Sequence, residues 1–217
     1  MLVAENICKR YGKRSVLHHV SLKVRPKEVV AIVGQSGAGK STLLHVLATL
    51  ERPDKGTLRM DHTDLRTLDD KALSSFRNRS VGFVFQDHYL LPEFNVLENV
   101  CLPAYIRGES VRQAAPRGRD LLKLLDVLEH AERHPHDLSG GEQQRVAVAR
   151  ALINTPKIVF ADEPSGSLDS RNAHLLHTLL LRLRDVLDQT FVLATHNTDL
   201  TDMADRVLRL EDGILVE

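Results

Sequence analysis

The stretch Gly34-Gln35-Ser36-Gly37-Ala38-Gly39-Lys40-Ser41, continued by Thr42, constrains the fold of this chain more than any other segment. It fits G-x-x-x-x-G-K-[ST], in which glycines let the backbone wrap so closely that successive N–H groups point inward at phosphate oxygens. The pattern works only between a strand and a helix, because the helix N-terminus adds the positive end of its dipole. Both flanks comply. Val29–Val33 is a continuous apolar run, suited to a strand buried on both faces of a parallel sheet, and Leu43, Leu44, Val46 and Leu47 carry on as a helix. Lys40 is then placed to reach the β- and γ-phosphates of a nucleotide, and the Ser41 hydroxyl to ligate Mg²⁺.

A second apolar run, Ile158-Val159-Phe160-Ala161, ends in Asp162-Glu163. A buried strand delivers both acids to its C-terminal end, where ligands sit in open α/β sheets. There Asp162 is expected to hold Mg²⁺ through water, and Glu163 to polarise a water for attack on the γ-phosphate.

The remainder reads as an α/β chain. Leu2–Lys9 and Ser15–Val24 are expected to form two strands around Tyr11-Gly12-Lys13-Arg14, and Val81–Gln86 a further strand. Residues 87–154 change character and read as mainly helical. Leu121, Leu125, Leu128 and Ala131 recur at helical spacing, which predicts a helix ended by Pro135. Ser139 with Glu142 forms a capping box for the next helix. A helix over Asn172–Leu187, a buried strand over Phe191–Thr195 and a hairpin around Asp212-Gly213 complete the reading. Residues 1–86 and 155–217 then form a core with an N-terminal β part, into which 87–154 is inserted as a helical subdomain of one domain.

Composition narrows the function classes. The 29 basic and 29 acidic side chains cancel, without the clustered Lys and Arg of a nucleic-acid binder. The apolar runs are strand-sized, far short of the roughly 20 residues that span a bilayer. The start, Met1-Leu2-Val3-Ala4-Glu5, has no secretory pattern, and Cys8 and Cys101 read as free thiols of a reducing cytosol.

Leu138-Ser139-Gly140-Gly141-Glu142-Gln143-Gln144-Arg145 is a capped helix start with two glycines, hence a second anion site of exposed N–H groups. One nucleotide does not need two such cradles. With this segment the chain resembles the ABC ATPases over essentially its whole length, which implies a P-loop NTPase core with a parallel sheet flanked by helices, an N-terminal antiparallel β subdomain and an inserted helical subdomain. The resemblance implies ATP and Mg²⁺ as ligands and a head-to-tail dimer, in which Ser139, Gly140 and Gly141 close over ATP held by the Gly34–Thr42 loop of the second copy. It further implies that Tyr11 stacks on adenine, that Gln86 touches Mg²⁺ and relays the state of a membrane partner, that Ser167-Leu168-Asp169 lies at the dimer interface, and that His196 contacts the γ-phosphate. Pro164-Ser165-Gly166-Ser167 departs from the usual Pro-Thr-Gly-Asn, and Pro26-Lys27-Glu28 lacks the glycine common before that glutamate.

Leu90–Val100, after Gln86, is similar to the lipoprotein-releasing and macrolide-export branch, the first above all. This implies an ATPase peripheral to the cytoplasmic face of the inner membrane, docked to integral membrane subunits through Gln86–Val100. The absence of an extension after Glu217 agrees. An efflux or cell-division complex is the alternative within the family. An ATPase acting on nucleic acid would be expected to carry two units or a long coiled coil, and a P-loop kinase would not need the segment at Leu138–Arg145. His130, His134 and His136 lack a third metal-ligand pattern and read as a solvated helix end.

Overall fold

The computed structural model describes residues 1–216, apart from the side chain of Thr198. The predicted apolar runs become the centre of a six-stranded sheet. β3 (Val29–Val33), β6 (Val81–Val84), β7 (Ile158–Asp162), β8 (Thr190–Ala194) and β9 (Arg206–Glu211) are mutually parallel, and β10 (Ile214–Val216) pairs antiparallel to β9. The order is β10-β9-β3-β8-β7-β6. Side chains alternate between faces along a strand, and here both faces are covered. Val30, Ile32, Phe160, Val192 and Ala194 pack towards α1 (Lys40–Leu47) and the N-terminal strands. Val29, Val159, Ala161, Phe191 and Leu193 pack towards α6 (Ser170–Leu187) and the helical segment. Burial on both sides is why these strands read as unbroken hydrophobic runs.

The second sheet is antiparallel, in the order β2-β1-β4-β5, with β1 (Leu2–Tyr11), β2 (Arg14–Val24), β4 (Lys55–Met60) and β5 (Thr63–Asp64). Tyr11 pairs with Arg14 across a two-residue turn. Between β6 and β7 lie α3 (Val96–Ile106), α4 (Val111–Leu124) and α5 (Gly140–Leu152), the inserted helices expected from residues 87–154. Among the described residues no helix is long and apolar enough to cross a membrane.

Three local expectations need correction. The helix expected to run to Pro135 ends at Leu124; Asp126 turns left-handed (φ 55°), and Leu128–His130 is a 3₁₀ turn. The break lets Leu122, Leu125 and Val127 all bury completely, which the apolar spacing expressed without requiring one straight helix. Pro135 opens a second 3₁₀ turn, Pro135–Asp137. Strand β6 ends at Val84, two residues before Gln86. Finally, α2 (Asp70–Ser80), capped by Asp69, was not anticipated, because only Leu73 and Ser80 on it are buried.

The turn without the common glycine places a lysine in the left-handed region. Lys27 has φ 63°, its N–H donates to Thr190 Oγ1 (2.8 Å), and its exposed ammonium pairs with Asp188. A β-carbon there is strained, whereas an ion pair this exposed contributes little. Lys27→Gly is therefore expected to raise unfolding free energy by about 0.5–1 kcal/mol in urea titration, after allowing for the greater freedom of an unfolded glycine. A lower midpoint would show that the Lys27–Asp188 pair outweighs the strain.

Candidate active site

The loop between β3 and α1 is built by close approach of backbone to backbone. Gly39, the N-cap of α1, sits at φ 101° and Gly37 at φ 80°, conformations that side chains rarely adopt. At Gly34 a β-carbon would lie 2.1 Å from the carbonyl oxygen of Leu210 in β9. The turn of the closing hairpin braces the loop from behind. Gly213 N–H donates to Ala38 O (3.1 Å), and Gly213 O accepts from His18 N–H of β2 (2.8 Å). The Lys40 ammonium is nearly buried and donates to the carbonyls of Gly34 (2.9 Å) and Gln35 (3.2 Å), so it spans the mouth of its own loop.

Across the loop stand the acids at the end of β7. Glu163 holds φ 45°, fixed by its N–H to Ala194 O (2.9 Å) and its carbonyl to Gly166 N–H (2.9 Å). This strained backbone turns its carboxylate towards both Lys40 Nζ (4.0 Å) and His196 Nδ1 (2.9 Å). His196 follows β8 and is exposed. Asp162 is half-buried; burial raises its pKa, and a hydrogen bond with the Ser41 hydroxyl acts in the opposite direction. Its Oδ1 is buried without a hydrogen-bond partner. An orphaned carboxylate oxygen beside a hydroxyl is a donor set that fits a hard cation such as Mg²⁺.

A cleft of about 770 Å³ joins Tyr11, Gly34, Lys40, Thr42, Glu163 and His196. Gln86, Ser36, Gly37, Gly39 and Ser41 also line it. Gln35 and Ala38 belong to the loop but do not face the cleft, and Asp162 stands behind Ser41. Sequence reasoning missed Arg14 and Val16, which line the same cleft from β2. The signal was available in the hairpin register, which sets Arg14 opposite Tyr11.

Ser139, Gly140 and Gly141 are absent from that cleft. They start α5 on a separate surface. Ser139 Oγ donates to Glu142 Oε2 (2.7 Å), and Ser139 N–H donates to the same carboxylate (2.7 Å), completing the capping box. His130, in the preceding turn, contacts Glu142 Oε1 through Nε2 (3.1 Å), whereas His134 Nδ1 meets Pro92 O (3.2 Å) and His136 stacks on His134. The three histidines therefore point to different partners. In the segment after β7, Ser165 is buried, with its hydroxyl 2.9 Å from His177 Nε2 of α6, and Asp169 caps α6.

The segment after β6 is tied to α5. Gln144 Nε2 donates to Phe85 O (3.3 Å), and the Arg150 guanidinium donates to His88 O and Tyr89 O (2.6 Å each). The fully buried Asn99 amide donates to the carbonyls of Leu91, Phe94 and Asn95 (3.0 Å each) and accepts from Leu91 N–H (2.8 Å). Beside this segment a groove of about 270 Å³ is lined by Asn78, Phe83, Phe85, Tyr89, Pro103 and Arg150. Tyr89 and Leu91 are exposed at its edge or just beyond it.

Residues 17–166 match the family model described as "ABC transporter". The chain is 51% identical over 216 residues to the lipoprotein-releasing system ATP-binding protein LolD of Cytophaga hutchinsonii, covering 100% of this chain and 99% of that protein. It is 49% identical over 215 residues to the protein of the same name from Bacteroides thetaiotaomicron, covering 99% of each. Its fold superposes with a TM-score of 0.91 on the dimeric post-hydrolysis state of the ATP-binding cassette MJ0796 bound to ADP and Pi, at 35% identity, covering 100% of this chain and 97% of that one. The chain, with its braced phosphate loop, paired acids at a strand tip and Ser139-capped, glycine-rich helix start, is a member of the ABC transporter family, its ATP-binding and ATP-hydrolysing cassette.

Proposed function

We propose that this chain powers the release of lipoproteins from the inner membrane, working as a head-to-tail pair of ATPase subunits on the cytoplasmic face beneath separate integral membrane subunits. The observation that carries the pairing is that Ser139–Gly141 stand outside the cleft that Tyr11, Lys40, Gln86, Glu163 and His196 line together. A second copy can then supply its own helix N-terminus to the γ-phosphate, an anion at a dipole's positive end. The cargo reading is supported by the names of full-length relatives about half identical to this chain.

In this reading the Gly34–Thr42 backbone wraps the phosphates and Tyr11 stacks on adenine. Lys40 exchanges its two carbonyl partners for phosphate oxygens. Ser41 and Asp162 would hold Mg²⁺, with Gln86 completing the set, and the ion would supply positive charge to the phosphates. Glu163 accepts a hydrogen bond from the attacking water and takes its proton. His196 steadies that carboxylate from 2.9 Å and reaches the γ-phosphate. Ser139 turns its hydroxyl from Glu142 to the partner's nucleotide on closure. Because Gln144 and Arg150 clamp residues 85–89 to α5, closure of the pair carries the Phe85–Tyr89 groove with it. Membrane subunits docked on Gln86–Val100 would then feel hydrolysis as displacement of a helix end.

Glu163→Gln removes the base while keeping the shape of the side chain. It should bind ATP normally, turn over ~10²–10⁴-fold more slowly, and accumulate as a dimer in MgATP on size-exclusion chromatography. Turnover near that of the parent chain would take Glu163 out of this role. Replacing both Tyr89 and Leu91 by Asp should strip the chain from its membrane subunits in detergent extracts. Undiminished recovery of the complex would move the docking surface elsewhere.

A further inference from the structure

Tyr11 stands at the end of an exposed hairpin, 46% accessible, where an unrestrained ring would sample several rotamers. Its hydroxyl is nevertheless fixed. It donates to the Glu51 carboxylate, with 2.8 and 2.7 Å to the two oxygens. Glu51 is itself held by the Lys9 ammonium (3.0 Å) and faces His45 Nδ1 (3.6 Å). Lys9 also donates to Arg52 O (2.8 Å) and lies over one face of the Tyr11 ring, 5.4 Å from its centroid. One face is therefore backed by a cation, and a stacked base takes the other. Burial and the Glu51 carboxylate hold the phenol above its ordinary pKa, which keeps it a donor.

The position of Glu51 matters as much as its charge. It lies just past the C-terminus of α1, and its N–H donates to His45 O (3.2 Å) in the last turn of that helix. The same helix begins with Lys40 at the phosphate loop. One short rigid element thus carries the phosphate cradle at one end and the anchor of the tyrosine at the other.

We propose that Glu51 is a positioning residue for nucleotide binding: it locks the Tyr11 ring through the phenol hydroxyl and sets the adenine platform at a fixed distance from the phosphate loop. This rests on Tyr11 being the platform, as proposed above. Pre-setting the ring removes the rotamer freedom that binding would otherwise have to restrict. The contribution belongs to the base and not to the triphosphate.

The test compares equilibrium binding of ATP with that of inorganic tripolyphosphate, which has no base, for the full chain and its variants. Glu51→Ala and Tyr11→Phe should each weaken ATP binding about five- to tenfold, the net scale of one ordinary hydrogen bond. Tripolyphosphate affinity should not move. Glu51→Gln, which still accepts from the phenol, should recover most of the affinity. In the Tyr11→Phe background Glu51→Ala should add no further loss. Equal loss for ATP and tripolyphosphate would show a general disturbance of α1 and overturn the proposal, as would full ATP affinity in Tyr11→Phe or additive losses in the double variant. Tyr11→Ala separates the two layers. If it leaves ATP binding intact, the platform reading itself fails; if it weakens binding while Glu51→Ala does not, only the positioning role is lost. Should Glu51→Ala not fold, Tyr11→Phe and Glu51→Gln decide the matter.

Discussion

The rest of the structure depends on the contact between the phosphate loop and the hairpin behind it. Gly34 approaches Leu210 O so closely that no β-carbon fits, and Gly213 reaches Ala38 with its N–H and His18 with its carbonyl. These contacts tie the central sheet, the closing hairpin and the antiparallel N-terminal sheet to one short loop. A backbone cradle stabilises phosphate only if its N–H groups are already aimed, since reorganisation would consume the binding energy. Beside it, the parallel pairing of β7 with β8 brings Glu163 and His196 to within hydrogen-bonding distance of each other.

The site so held is incomplete in one respect. Its cleft collects a cation, an acid–histidine pair and the aromatic Tyr11, yet the second glycine-rich helix start opens on another surface. The helical segment that carries this helix start also carries the clamp on residues 85–89. In the proposed reading, nucleotide state and membrane contact would be read out by one body, because Arg150 and Gln144 leave the segment little freedom to move apart from α5. Asn99 extends the same restraint to the carbonyls of Leu91, Phe94 and Asn95.

Much of this was legible in the sequence wherever a local rule and the tertiary fold agree. Val29–Val33 and Ile158–Ala161 are hydrophobic throughout because both faces of the sheet are covered, and Ser139 with Glu142 is a cap that needs no tertiary context. Legibility failed where burial is one-sided or the turn is unusual. Helix α2 buries too little to show a period, and Asp126 breaks a spacing that still looks helical, because a left-handed aspartate leaves no local apolar signature. In the site, motif order located Tyr11, Gln86 and His196, but Glu51 was invisible. Its partner is 40 residues away, and only pairing of the hairpin against the end of α1 brings them together. The clamp from Arg150 to His88 and Tyr89 spans more than 60 positions and was hidden for the same reason.

The central claim is that the Ser139 helix start serves a nucleotide on another copy and not the one bound in its own cleft. Nucleotide affinity of a dilute Ser139→Arg monomer, measured together with its ATP-dependent self-association, tests this most directly. The account predicts affinity within about twofold of the parent chain (~0.4 kcal/mol) and loss of the ATP-dependent dimer. A monomer that binds ATP poorly, yet still associates when saturated, would place the Ser139 helix start within the chain's own site and contradict it.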